Sequence, residues 1–214
     1  PIYTVVVTLQ NGMGNAEEIA RIIPADRIYV GLCFICAMRA EPGHVNHLEG
    51  GNIQFAPFVP SPEGSEKARE LSELFANAGI KTRAFDAAEQ IQWYKLVWNI
   101  PFNGLCLALG GISIAELYQN PENVARARRI MEEVVRAAKA RGYTLPDDLV
   151  EFHLSRTESM GSFIPSSAVD YNEGRPVEYT AIWGDPLSKA RQAGASVPEW
   201  ELLDKDIRKR LNMD

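Results

Sequence analysis

The sequence predicts an α/β segment followed by an all-α segment, with the boundary near residue 87. Short β-branched runs alternate with helical patterns up to Asp86, strand signals vanish after it, and long helical periodicities then run to the C-terminus. At 214 residues and 46% hydrophobic content, the chain is long enough for one large domain or two small ones with proper cores.

Residues 2–9 read as a buried parallel strand, being short, β-branched and almost uncharged, and the run stops at Asn11-Gly12-Met13-Gly14. Asn15 is expected to cap the next helix, with Glu18 at the capping-box position and Pro24 ending the pattern. Residues 27–36 and 51–58 are strand candidates on either side of a Glu41-Pro42-Gly43-His44 turn, and can pair as a long hairpin. Ser61-Pro62 opens a helix to Asn77, Gly79 closes it, and residues 81–85 form a short strand.

In the second segment Asn120-Pro121 caps a helix whose Val124, Ala127, Met131, Val134, Val135 and Ala138 form an apolar stripe ended by Gly142. Arg126, Arg128 and Arg129 on that helix are expected to be a solvated face. Pro146-Asp147-Asp148 starts another helix through Ser159, and residues 178–193 and 199–211 supply two more, making a helical bundle without repeats.

Lys and Arg total 22 against 28 Asp and Glu, so the net charge of -6 argues against a general affinity for nucleic acid or anionic membrane. The longest apolar runs are too short for a membrane span and lack a signal-peptide layout, which makes the cytoplasm the expected location. Three scattered cysteines fit a reducing compartment. Cys33 and Cys36 form a C-x-x-C in a strand-like stretch, which reads as core packing, and no metal site is expected. A strand pattern that starts almost at Pro1, with no cap or turn before it, predicts a fragment.

Residues 92–105 are mostly apolar and should be buried, so their polar members need a reason. Lys95, Asn99 and Asn103 recur every fourth residue, and each lies about 40° round the helix from the last. They form a gently winding row able to line one cleft. Pro101 removes a backbone donor and is expected to kink the helix, freeing a carbonyl near Val97. A lysine partly withdrawn from water has its ammonium form disfavoured and can exchange protons near neutrality, which suits a general acid. The plainer account has the asparagines bonding backbone and the lysine reaching solvent.

Two further constellations stand apart from that row. Residues 165–170 (Pro-Ser-Ser-Ala-Val-Asp) and 173–178 (Glu-Gly-Arg-Pro-Val-Glu) read as a break between helices that combines hydroxyls, carboxylates and one arginine. The same residues can equally be a serine cap, a connection and a first-turn glutamate. Gln10 to Asn15 lies where a strand gives way to a helix, the place where α/β sheets bind ligands. After Gly12 and Gly14, however, Glu17 stands where a G-x-G-x-x-G fingerprint has its third glycine.

Taken together, the strand ending in Leu9-Gln10-Asn11-Gly12-Met13-Gly14, the K-x-x-x-N-x-x-x-N helix of Lys95, Asn99 and Asn103, and Ser166 to Asp170 ahead of Gly174-Arg175-Pro176-Val177-Glu178 resemble the ketopantoate reductase (2-dehydropantoate 2-reductase) family over essentially the whole chain. The resemblance implies that residues 1–87 are the later part of a Rossmann dinucleotide-binding domain. It implies that residues 88–214 are a helical substrate-binding and dimerisation domain like the C-terminal domain of 6-phosphogluconate dehydrogenase. It implies NADPH as cofactor and a small 2-oxoacid, bound in the cleft between the domains, as substrate.

By the same resemblance Lys95 stabilises and protonates the alkoxide, Asn99 and Asn103 orient the substrate, and Ser166 holds its carboxylate. Glu178 bonds substrate or Lys95, Asn11 touches the cofactor near its ribose or nicotinamide, and Asp170 supports the Ser166 loop. The first strands and the pyrophosphate loop are then expected upstream of Pro1, leaving this chain weakly active or inactive by itself. Two alternatives are a reductase of another 2-oxoacid and a non-catalytic dimerisation or binding fragment. Trp183, Trp200 and several leucines exceed what a small bundle needs, which predicts a homodimer.

Overall fold

β-Branched residues suit a pleated, half-buried surface, and Val6–Thr8 (β1) pairs in parallel with the start of β2 (Ile28–Glu41), Val7 lying opposite Tyr29. The structure, a computed structural model, describes residues 4–213, so residues 2 and 3 of the predicted first strand lie outside the described residues. β2 turns back through Pro42 and Gly43 into β3 (His44–Pro57), where Gly43 takes the left-handed φ of 82° that the tight reversal requires. β3 then pairs in parallel with β4 (Thr82–Ala84), giving the order β1-β2-β3-β4.

The hairpin is longer than its sequence pattern. Pairing continues through register shifts at Phe34/Ile35, Cys36/Ala37 and Arg39/Glu41, and each such irregularity disturbs the two-residue alternation that marks a strand in sequence. Where alternation holds, it divides the core. Ile28, Val30 and Leu32 face Ala16, Ala88 and Ile91 on one side of the sheet, and Tyr29 and Phe55 face Ala68 on the other, with the Phe75 ring 5.0 Å from that of Phe55.

α1 (Asn15–Ile19) corrects one expectation. Its N-cap is Gly14, at φ 89°, and Asn15 is already helical. The Asn15 side chain turns back instead, Nδ2 donating to the Asn11 carbonyl at 2.9 Å. α2 (Pro62–Asn77) starts as predicted, with the Ser61 hydroxyl accepting from the Gly64 amide at 2.9 Å.

The chain divides into two compact units, Pro1–Gln92 and Trp93–Asp214, the division falling within α3 (Ala88–Ala108). In the second unit α3 is buried on all sides. Trp93, Leu96, Val97, Ile100, Phe102, Leu105, Cys106 and Leu107 are each at most 1% exposed, which marks the helix as the core of this unit. The other helices here are α4 (Ile114–Tyr118), α5 (Pro121–Ala140), α6 (Leu149–Glu158), α7 (Ser166–Asn172), α8 (Asp185–Gln192) and α9 (Pro198–Arg210).

α3 stays helical through Pro101. One turn on, Gly104 leaves room for Trp183, and the Trp183 indole Nε1 donates to the Ile100 carbonyl at 3.0 Å. Trp183 sits in a π-helical turn (Thr180–Gly184) that leads into α8, in place of the plain helix expected from residue 178.

Three further expectations change in this unit. Arg128 and Arg129 do lie on the solvated face, whereas Arg126 is largely covered, and all three are ion-paired: Arg126 with Glu199 and Asp206, Arg128 with Glu151, and Arg129 with Glu122 and Glu199. Trp183 and Trp200 are both fully buried inside the unit, so they are no exposed surplus for a dimer contact. Residues 166–172 form a helix of their own, where the sequence suggests a break.

Candidate active site

α3 positions the polar row. Asn99 and Asn103 keep only 5% and 2% of their surface exposed, while Lys95 is half-buried. Burying a carboxamide without hydrogen bonds costs several kcal/mol, roughly 2–7, so two such groups on an otherwise apolar helix must have partners in the protein or in a ligand.

For Asn103 the partner is α7. Its Oδ1 accepts from the Ser167 amide at 3.1 Å and from the Ser166 hydroxyl at 3.4 Å. The physical reason lies in α7 itself. The first amides of a helix lack intrahelical acceptors, and the N-cap residue here is Pro165, which offers no side-chain oxygen. Asn103 supplies the missing acceptor from another helix. Ser166 remains exposed and Ser167 buried, so the junction sets the Ser166 hydroxyl at the surface beside the row. The Asn99 carboxamide makes no hydrogen bond to another described residue.

The Ser166 helix is itself braced. Asp170 binds Arg175 through Nε at 2.9 Å and Nη2 at 2.8 Å, and its carbonyl accepts from the Arg175 amide. Arg175 also pairs with Glu173. Glu178 stands exposed just before the π-helical turn, its carbonyl accepting from the Ile182 amide, and it is not among the partners of the two asparagines.

A second row runs beside the first, one residue earlier at each step: Tyr94, Trp98 and Phe102. Tyr94 meets His153 edge-on at 6.0 Å, Phe102 stacks on Tyr118 at 6.3 Å, and the Trp98 indole Nε1 donates to the Thr157 hydroxyl at 2.8 Å. Burial pushes the His153 imidazole down to about 4, with Arg156 adding to the effect, so this ring is neutral near pH 7. Burial likewise pushes the Cys106 thiol and the Tyr118 phenol up to about 12, which removes both as proton donors near neutrality. The first row is legible from its spacing. Thr157 is not, since nothing in the sequence sets it apart on α6.

In the first unit, Asn11 lies in the turn after β1, at the carboxyl end of a parallel strand. Gly12 and Gly14 hold φ values of 78° and 89°, and the Gly12 carbonyl accepts from Gln92 Nε2 at 3.0 Å. The turn is thus pinned at the Asn11 and Gly12 carbonyls. Among the described residues no cluster of His, Cys, Asp and Glu is suited to a metal ion, and no helix is long and apolar enough to cross a membrane.

The first unit is thus a mixed α/β sheet with a glycine-bounded turn after its first strand, and the second a helical unit with a polar row on its central helix. The chain belongs to the ketopantoate reductase family: the model described as "Ketopantoate reductase PanE/ApbA C terminal" matches residues 87–209, and "Ketopantoate reductase PanE/ApbA" matches residues 3–60. It is 35% identical over 202 residues to a 2-dehydropantoate 2-reductase of Nostoc sp., covering 93% of this chain and 63% of that protein.

Among solved structures it is similar to the 2-dehydropantoate 2-reductase of Geobacter metallireducens (TM-score 0.91, 37% identity, 98% of this chain and 69% of that one). A second likeness is to the enzyme of Methylococcus capsulatus (TM-score 0.85, 30% identity, 98% and 66%). A Halobacterium salinarum relative of the same name is 29% identical over 90% of this chain. The chain spans 63% of the length of each of these two curated relatives. The fold is accordingly the ketopantoate reductase fold, a mixed Rossmann-type sheet followed by a helical domain.

Proposed function

We propose that the protein carrying this chain reduces 2-dehydropantoate to pantoate with NADPH, in the route to pantothenate and coenzyme A. Residues 1–87 serve as the later part of its dinucleotide-binding domain and residues 88–214 as its substrate-binding and dimerisation domain. The observation that carries this reading is the junction of Asn103 with Ser166 and Ser167, because it joins two separate polar constellations into one surface. The family membership and the named relatives support it. Three free cysteines are in keeping with a cytoplasmic site of action. Half-exposed Phe152 and Leu202 supply apolar area for a homodimer contact of the helical domain.

The residues present fit one end of the dinucleotide. Asn11, in a pinned, glycine-bounded turn at a strand's carboxyl end, suits the ribose or nicotinamide. Glu17 and Glu18 in the first turn of α1 oppose a pyrophosphate there. When bound, the reduced nicotinamide supplies a hydride to the keto carbon.

The chain's own residues handle charge and orientation. As the carbon–oxygen π pair moves onto oxygen, Lys95 Nζ donates a proton to the alkoxide and is reprotonated from solvent. Asn99 offers its unpaired carboxamide to the substrate, and Asn103 fixes both the substrate and the Ser166 hydroxyl that meets its carboxylate. Glu178 acts at the mouth of the site, on a substrate hydroxyl or on Lys95.

The test is turnover of a panel of 2-oxoacids with NADPH. 2-Dehydropantoate should show the highest kcat/KM and yield pantoate; preference for another 2-oxoacid would reassign the substrate, and failure to reduce any would overturn the reading. A second reading is favoured by the lack of any G-x-G-x-x-G in the sequence together with the two glutamates of α1. In it, this chain by itself is a binding or dimerisation module. Calorimetry showing micromolar or tighter NADPH binding by the 214-residue chain would rule that out.

A further inference from the structure

The polar row and the aromatic row of α3 are offset by one residue at every turn, so whatever fixes one row fixes the aim of the other. Tyr94, Trp98 and Phe102 precede Lys95, Asn99 and Asn103, which places each pair about 100° apart around the helix. Apolar stacking alone tolerates small rotations, because ring contacts at 5–7 Å are broad minima. A hydrogen bond does not.

Within the aromatic row Trp98 carries a polar handle, and it is engaged. Its Nε1 donates to Thr157 Oγ1 at 2.8 Å, and the same hydroxyl donates onward to the His153 carbonyl at 2.6 Å. Thr157 is 0% exposed, so its hydroxyl is used fully inside the protein as acceptor to α3 and donor to its own helix. One turn earlier, His153 bonds the Tyr94 backbone and meets the Tyr94 ring. Two successive turns of α6 therefore grip the residues immediately preceding Lys95 and Asn99. Tyr118 closes the array, with its ring on Phe102 and its hydroxyl donating to the Leu154 carbonyl at 2.9 Å.

We infer that Thr157 is a positioning residue for catalysis, which through Trp98 sets the rotation of α3 and so the aim of Lys95 and Asn99. The inference rests on the proposed reductase reading. Its physical content is that a hydrogen-bond acceptor in the core, remote from substrate, controls kcat more than substrate binding, since misplacement of a reacting group by an ångström costs up to roughly a hundredfold.

The experiment compares the wild type, Thr157→Val, Thr157→Ser, Trp98→Phe and Lys95→Ala in the full reductase. The readouts are kcat and KM for 2-dehydropantoate, the pH profile of kcat, and the amide side-chain NMR signals of Asn99 and Asn103. Thr157→Val keeps the shape and removes the hydroxyl. It should lower kcat about tenfold or more, leave KM within about twofold, displace the basic limb of the pH profile, and shift the Asn99 signal. Thr157→Ser should restore all four readouts. Trp98→Phe removes the donor from the other side and should reproduce Thr157→Val, which covers the case in which the valine variant fails to fold.

Wild-type kcat and pH profile in folded Thr157→Val or Trp98→Phe, with Lys95→Ala inactive, would overturn this inference alone. Loss of stability with unchanged kcat would do the same, by showing a purely structural role. Normal turnover by Lys95→Ala would overturn the reductase reading of the row, and this inference with it.

Discussion

The two units of the chain hold themselves together by different means. In the first, apolar residues alternating along β2 fill two shallow clusters on either side of a four-stranded sheet, and the polar contacts are turn and cap bonds, ion pairs along exposed helix faces, and the Ser72–Thr82 and Gln92–Gly12 bonds. In the second, polar joints are built into the core: Asn103 caps α7, Thr157 receives Trp98, Trp183 reaches the Ile100 carbonyl, and Glu133 accepts from the Glu199 and Trp200 amides at 3.1 and 2.8 Å. Apolar packing is forgiving of shape, whereas a buried hydrogen bond fixes one geometry. The unit that must hold a polar row in register is the one built on such joints.

The comparison can be broken most strongly at the apolar side. Phe55→Ala, at a residue 0% exposed and packed on Phe75, should cost about 4 kcal/mol in urea denaturation. Next in size is Glu133→Ala, which strips two amides at the start of α9 of their acceptor. About 3 kcal/mol is expected, with Glu133→Gln recovering part of it. If Glu133→Ala costs under 1 kcal/mol, on the order of a surface change, the second unit does not depend on its polar joints.

A pH titration sharpens the same contrast. Burial holds the His153 imidazole at about 4 against an ordinary 6.5. The unfolded chain therefore takes up a proton in this window that the folded one refuses. Stability present above pH 6.5 is lost as the pH falls toward 4, by up to about 3 kcal/mol. His153→Gln should flatten that slope. Burial raises the Glu133 carboxyl, which acts in the opposite sense, as the folded state then binds its proton first. The smallest effect is expected on the exposed face of α2, where breaking the Arg69–Glu66 pair should leave the urea midpoint essentially unchanged.

What was legible in the sequence follows the same division. β1, the hairpin, α2 and β4 are written in local patterns, and the helix starts at Ser61 and Asn120 are written in capping residues. Asn15 misleads because the left-handed Gly14 before it takes the cap position, a conformational preference that the asparagine pattern masks. α7 is hidden because its cap comes from Asn103, 64 residues earlier in the chain than Ser167. The ion pairs of the α5 arginines are hidden because most of their partners, Glu151, Glu199 and Asp206, lie on other helices. Lys95, Asn99 and Asn103 stand out because an otherwise apolar helix cannot bury polar groups without a reason. Trp98 and Thr157, an aromatic residue in an apolar helix and a threonine in a polar one, give no such signal.

The most direct test of the polar row is turnover of 2-dehydropantoate with NADPH by Lys95→Ala in the full reductase. With Lys95 as the proposed general acid, its loss should lower kcat by about 10²–10⁴-fold with KM little changed. A kcat near the wild-type value would contradict the assignment of this helix as the catalytic one.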